Sequence, residues 1–193
     1  NRKDAEGNNL YQGGFLGLDN ISVFDRSSGY LPGGGRLYQA DGTTWVAFFA
    51  LQMMQAAKLL SDEEPEHHEL AAKFFQHFAL IADALDHLGR ESEGSAALWN
   101  EEDGLYYDVL RIGDQFHPLK ARSLVSLIPL IAVADLDLAA LKRADNPAFA
   151  SRIDWFRKRQ SALFGRVADT EGAEEHALLL SFMSKDQLVR LLK

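Results

Sequence analysis

The residues best suited to chemistry lie in one stretch, Gly13-Gly14-Phe15-Leu16-Gly17-Leu18-Asp19-Asn20-Ile21-Ser22-Val23-Phe24-Asp25-Arg26. It is too rich in glycine for a helix and too apolar for a solvated loop. Gly13, Gly14 and Gly17 let the backbone turn tightly and approach another surface closely. Phe15, Leu16, Leu18, Ile21, Val23 and Phe24 would pin the segment against a core. Asp19 is therefore expected to be partly desolvated, and desolvation raises the pKa of an acid. A carboxylic acid kept protonated near neutral pH can donate its proton to a leaving group. The same aspartate also reads as a buried residue that caps a turn with its side chain.

A second stretch, Arg36-Leu37-Tyr38-Gln39-Ala40-Asp41-Gly42-Thr43-Thr44-Trp45, follows soon after. Together with the run from Tyr11 to Arg26 it resembles the bacterial branch of glycoside hydrolase family 63. That is the mannosyl-oligosaccharide glucosidase family, related to trehalases and mannosylglycerate hydrolases. Leu98-Trp99-Asn100-Glu101-Glu102-Asp103-Gly104-Leu105-Tyr106-Tyr107-Asp108 resembles it too, as does Pro118-Leu119-Lys120-Ala121-Arg122-Ser123 running into Leu127-Ile128-Pro129-Leu130. Beyond that point the likeness is loose.

The resemblance implies an inverting, α-glucosidase-like glycoside hydrolase of carbohydrate metabolism, acting on an oligosaccharide or glycoside without cofactor or metal. It implies that Asp19 is the general acid. It places the general base on a glutamate that this chain lacks, since Glu171, Glu174 and Glu175 sit in a polar loop unlike that glutamate's surroundings. The isolated chain is accordingly expected to be inactive. Candidates for the sugar pocket are Phe15, Asn20, Asp25, Arg26, Gln39, Asp41, Trp45, Lys120 and Arg122. Asp41 reads equally as a helix cap, and Arg26 and Arg122 as partners of carboxylates. Trp99, Tyr106 and Tyr107, beside Glu101, Glu102, Asp103 and Asp108, suit a sugar ring or plain packing.

The composition narrows the partners. A formal net charge of -8, with no long basic block, makes nucleic acid an unlikely ligand class. The chain has no cysteine, so disulfides and thiolate metal sites are ruled out. No apolar run is long enough to span a bilayer. The polar start Asn1-Arg2-Lys3-Asp4 is unlike a signal peptide, which points to the cytoplasm. It lacks an initiator methionine, so the sequence reads as a piece of a longer protein.

The elements that would position these residues read as helices. Asp41-Gly42-Thr43-Thr44 launches a helix over Trp45 to Leu60, with Asp41 or Thr43 as its N-cap. Its polar residues Gln52, Gln55 and Lys58 form one narrow stripe, the pattern of an inner helix. Pro65 opens an outer helix that runs to about Leu88, with Leu70, Ala71, Phe74, Phe75, Phe78, Ile81, Ala82 and Leu85 on one face. His67, His68, His77 and His87 read as solvated helix-face residues rather than a metal set. Leu105 to Leu110 has strand propensity, Gly113-Asp114 is a turn, and a short hairpin near 99–119 follows. Leu124 to Val133 reads as a second inner helix kinked at Pro129. Asp137–Lys142, Pro147–Arg159 and a capped terminal helix from Ser184-Lys185-Asp186-Gln187 complete the series. The loop Ser27 to Gly35 reads as a connection more than as a lid.

This alternation, with the resemblance, predicts an all-α fold: residues 1–193 as about half of one (α/α)6 barrel, with no separate second domain. The exposed inner face of a half barrel would favour self-association. A non-catalytic helical binding or regulatory module with a degenerate sugar pocket fits the periodicity as well. An isomerase or lyase is disfavoured by the lack of a histidine constellation.

Overall fold

A computed structural model describes residues 9–11, 20–22, 24–28, 31–86, 97–137, 147–159, 168–169 and 177–193. The architecture is mixed α and β, not all-α. Among the described residues there are four α-helices: α1 (Ala40–Leu60), α2 (His67–Asp86), α3 (Pro147–Arg159) and α4 (Lys185–Leu191). Three small antiparallel sheets accompany them. The chain divides into two compact units, one of Asn1–Val46, Asp83–Ile131 and Gln187–Lys193, the other of Ala47–Ala82 and Ala132–Asp186.

The first unit is built on a three-stranded sheet of β1 (Arg36–Tyr38), β4 (Asp108–Ile112) and β5 (Gln115–Leu119), with β4 in the middle. Leu37 pairs with Leu110 and Tyr38 with Val109, which buries the centre of the sheet. Pro118 stands opposite Val109 on the edge strand, where a missing N–H costs least. Gly113, at φ 59, takes the left-handed place in the two-residue turn between β4 and β5. A second hairpin pairs β2 (Trp99–Asn100) with β3 (Leu105–Tyr106). The expected hairpin is thus no lone insertion. It shares a sheet with β1, just ahead of the first long helix.

In the second unit β8 (Ala177–Ser181) lies between β6 (Val133–Asp137) and β7 (Ala168–Asp169). The helix expected over Leu124 to Val133 does not form. Two 3-10 turns, Leu124–Ser126 and Ile128–Ile131, replace it, and Val133 already begins β6. Pro129 has no N–H to donate and biases the residue before it away from the helical region. Asp137 ends β6, and the rest of the helix expected over Asp137–Lys142 lies outside the described residues.

Helix α1 is not an inner helix. It buries Ala47, Ala50, Leu51, Met54 and Ala57 along one stripe, while Phe49, Leu59 and Leu60 are more than half exposed. Gln55, of the narrow polar stripe, donates from Nε2 to the Asp135 carbonyl of β6 at 2.6 Å. A helix with one buried side, tied to a strand, has no place in a double ring of helices. That overturns the half-barrel expectation, and with it the exposed inner face on which self-association rested. Helix α2 does present the expected face: Phe75, Phe78 and Ile81 are buried, and Phe75 meets Phe156 of α3 edge to face with ring centroids 5.5 Å apart. No described helix is long and apolar enough to cross a membrane.

Candidate functional site

The N-terminal turn of α1 collects the buried charge of the first unit. Arg26, Asp41 and Asp108 are each about 95% removed from solvent. Arg26 Nη1 donates to Asp41 Oδ2 at 3.1 Å, and Nη2 donates to Asp41 Oδ1, a two-pronged contact suited to a planar guanidinium. Its Nε donates to Asp108 Oδ2 at 2.6 Å. Asp108, at the head of β4, also accepts from the Ala40 N–H at 2.9 Å. Asp41 accepts from the Gly42 N–H at 2.8 Å. Two of the backbone donors that a helix start leaves unpaired are therefore met by carboxylates, where the helix dipole favours negative charge.

With all three groups ionised the cluster carries one net negative charge. Burial pushes the Asp108 carboxyl up from its ordinary value, against the pull of Arg26 and the Ala40 N–H. Burial works against the Arg26 charge as well, but the two carboxylates more than offset it and hold the guanidinium above its ordinary value.

The segment before the cluster is tied to the same helix turn. Gln39 N–H donates to the Tyr11 carbonyl at 3.3 Å, and Gln39 Nε2 donates to the Arg26 carbonyl at 3.1 Å. Tyr11 N–H donates to Thr43 Oγ1 at 3.0 Å. Asp41 and Thr43 are not N-caps, because α1 already begins at Ala40.

Of the expected site residues, Arg26, Gln39 and Asp41 come together in this cluster. Asp19 and Phe15 lie outside the described residues, as do Glu171, Glu174, Glu175 and His87. Asn20 is exposed. Asp25 is exposed and caps its own turn, accepting from Ser27 N–H at 2.9 Å and from Ser27 Oγ at 2.6 Å. Those bonds hold its carboxyl below the usual range. Trp45 is 38% exposed on α1.

Lys120 and Arg122, which follow β5, pair with other carboxylates. Lys120 Nζ donates to Glu102 Oε2 at 2.9 Å, and Arg122 Nη2 donates to Asp103 Oδ1 at 2.8 Å. Trp99 and Tyr106 are buried against each other, ring centroids 5.0 Å apart, which is packing. Asp108, offered by the sequence only as a contact to sugar hydroxyls beside the aromatic residues, is instead a buried partner of Arg26. The signal was a carboxylate directly before Val109-Leu110 in an apolar strand, which calls for a buried cation.

Among its described residues, the Ser27 to Gly35 loop includes a 3-10 turn, Pro32–Gly34, shortly before β1. Carboxylates do stand near one of the helix histidines. Glu64, Glu66 and His67 bring ligand atoms within 4.8 Å of one another, with both glutamates exposed.

A protein of Saccharomyces cerevisiae, "Uncharacterized protein YMR196W", is 44% identical over 203 residues, an alignment that covers all of this chain and 18% of the yeast protein. The chain therefore spans less than a fifth of the length of that relative. No protein-family profile matches the chain. No solved structure matches it.

Proposed function

We propose that residues 1–193 carry the acid side of an inverting glycoside hydrolase site, with Asp19 as the proton donor and an α-glucoside as substrate. The reading is supported by the convergence of Arg26, Gln39 and Asp41 on the first turn of α1. All three were expected around Asp19 from the resemblance, and the flanks of the Asp19 stretch, Tyr11 and Arg26, are bonded to that one turn.

In such a reaction the Asp19 carboxylic acid protonates the glycosidic oxygen as the bond to the anomeric carbon breaks. A glutamate outside residues 1–193 takes a proton from water, whose oxygen bonds to the anomeric carbon from the opposite face. The two carboxyl groups must stand about 6.5–9.5 Å apart to admit that water. Phe15, Asn20, Asp25 and Trp45 remain candidates for contacts to the sugar, whereas Lys120 and Arg122 are engaged with Glu102 and Asp103. The Arg26, Asp41 and Asp108 side chains are bonded to one another, so they are not offered as sugar contacts.

The test is hydrolysis of a panel of α-glucosyl disaccharides by the full-length protein and its Asp19→Asn variant. Cleavage by the parent, reduced about 100- to 10,000-fold in the variant, is the expected result for loss of a general acid. Equal rates would make Asp19 structural. No cleavage of any member would favour the non-catalytic sugar-binding module.

A further inference from the structure

Helix α4 spans only seven residues, Lys185–Leu191, too few to be stable by helix formation alone. Leu191 is its buried side chain, while Leu188 and Val189, like Leu192 just beyond, face solvent. Packing of an apolar face, the usual support of a short helix, is therefore slight here.

On the β2–β3 hairpin the helix is held through Arg190. The guanidinium carbon lies 5.6 Å from the centroid of the buried Trp99 ring. Nη1 donates to Glu101 Oε2 at 2.5 Å, and Nη2 donates to the Glu101 carbonyl. Gly104 permits the close approach. It turns at φ 66, and a Cβ built there would stand 3.2 Å from Arg190 Cβ and 3.6 Å from the Arg190 carbonyl oxygen.

The setting of this contact makes it weak. The Arg190 side chain is 39% exposed and that of Glu101 77%, against 3% and 5% for the Arg26 and Asp41 pair in the same unit. An exposed ion pair, or a cation over a partly exposed ring, biases an equilibrium by no more than about fivefold. Salt screens such a pair and leaves a buried one almost untouched, since the Debye length shrinks from about 30 Å at 0.01 M to about 3 Å at 1 M.

We propose that α4 is a releasable strap that opens and shuts over Trp99 through the Arg190–Glu101 contact, with ionic strength setting the balance. Shut, it keeps the Trp99 ring from water. Open, it gives solvent the ring face and the Glu101 carboxylate beside it. The strap stands independently of the glycosidase reading.

The experiment uses the full-length protein and two variants. Glu101→Gln removes the charge and keeps the carbonyl contact, and Arg190→Met keeps the stem and loses the guanidinium. Hydrogen exchange is read at the Leu192 amide, which is bonded to the Leu188 carbonyl at 3.1 Å, with the amides of β4 as the internal standard. Sodium chloride is raised from about 0.01 M to about 1 M. In the parent, exchange at Leu192 rises about two- to fivefold while β4 is unchanged, and tryptophan emission moves to longer wavelength over the same range. Both variants exchange faster than the parent at low salt and lose the salt response.

A Leu192 rate that ignores salt in the parent would overturn the strap. So would a rise shared equally by β4, which marks loosening of the whole unit, or a Glu101→Gln variant that keeps the full salt response. The parent alone decides the first two points, so a variant that fails to fold leaves the test intact.

Discussion

Asp108 lies 82 residues along the chain from Arg26, yet its carboxylate accepts from the Arg26 Nε at 2.6 Å. With the Arg26 contacts to Asp41, this pair joins three separate stretches of sequence: the residues around Arg26, the first turn of α1 and the head of β4. One guanidinium is the junction of all three.

Removing that guanidinium leaves two carboxylates buried without their cation. The Arg26→Met variant is expected to lose about 3–5 kcal/mol of stability, the range found when one partner of a buried ion pair is removed. Urea denaturation measures it as a lower midpoint at constant slope. A loss below about 1 kcal/mol would put the cluster in the class of exposed ion pairs.

The pH dependence follows from Asp108. Its folded-state pKa is raised above the ordinary 3.8, mainly by burial, so the folded chain binds that proton more tightly than the unfolded chain. The contribution to stability is full below the ordinary value and is lost as pH rises through the raised value. Subtracting the stability curve of Asp108→Asn from that of the parent should therefore give a difference that declines with pH across this window. A flat difference, or one that grows with pH, would contradict the buried setting.

Lys120 and Arg122 are already engaged. Arg122 first, then Lys120, holds the Asp103 carboxyl below its ordinary range, so that contribution is present above the ordinary value and lost as pH falls. Lys120→Ala and Arg122→Ala in the full-length protein are expected to leave KM for the disaccharide panel within about twofold, as for groups that make no ground-state contact. A tenfold rise in KM for either would return that residue to the sugar pocket.

Arg190 of α4 covers the buried Trp99, its guanidinium carbon 5.6 Å from the ring centroid, and its Nη1 donates to Glu101 Oε2 at 2.5 Å. Trp45 and Trp155 are already 38% and 51% exposed, so a new solvent contact would come from Trp99. Arg190→Ala should move the tryptophan emission to longer wavelength and cost about 0.5–1 kcal/mol. An unchanged spectrum would show that Arg190 does not shield the ring.

Parts of this fold were legible because local chemistry and tertiary packing agree there. Phe75, Phe78 and Ile81 recur at helical spacing and are buried on α2. Pro147 opens α3, and Gly113-Asp114 turns β4 into β5. Leu178-Leu179-Leu180 shows no polar alternation in sequence, yet it is a central strand, paired on one side with Leu136, Asp135 and Ala134 far back along the chain. No local signal reports a partner so far along the chain. The apolar run around Pro129 suggested a helix, where short 3-10 turns and a strand let the backbone satisfy its hydrogen bonds around the proline. At the site, Arg26, Gln39 and Asp41 were found by resemblance, while Asp108 needed the pairing of β1 with β4 to reach them.

The most direct test of the central claim is the configuration of the first sugar released. Proton NMR of α-glucosyl disaccharide hydrolysis by the full-length protein resolves the two anomers before they equilibrate. The inverting site proposed around Asp19 predicts that β-glucose appears first and α-glucose only later, by mutarotation. Initial release of α-glucose would contradict it, because retention requires a nucleophilic carboxylate about 5–5.5 Å from the acid in place of a water-activating base.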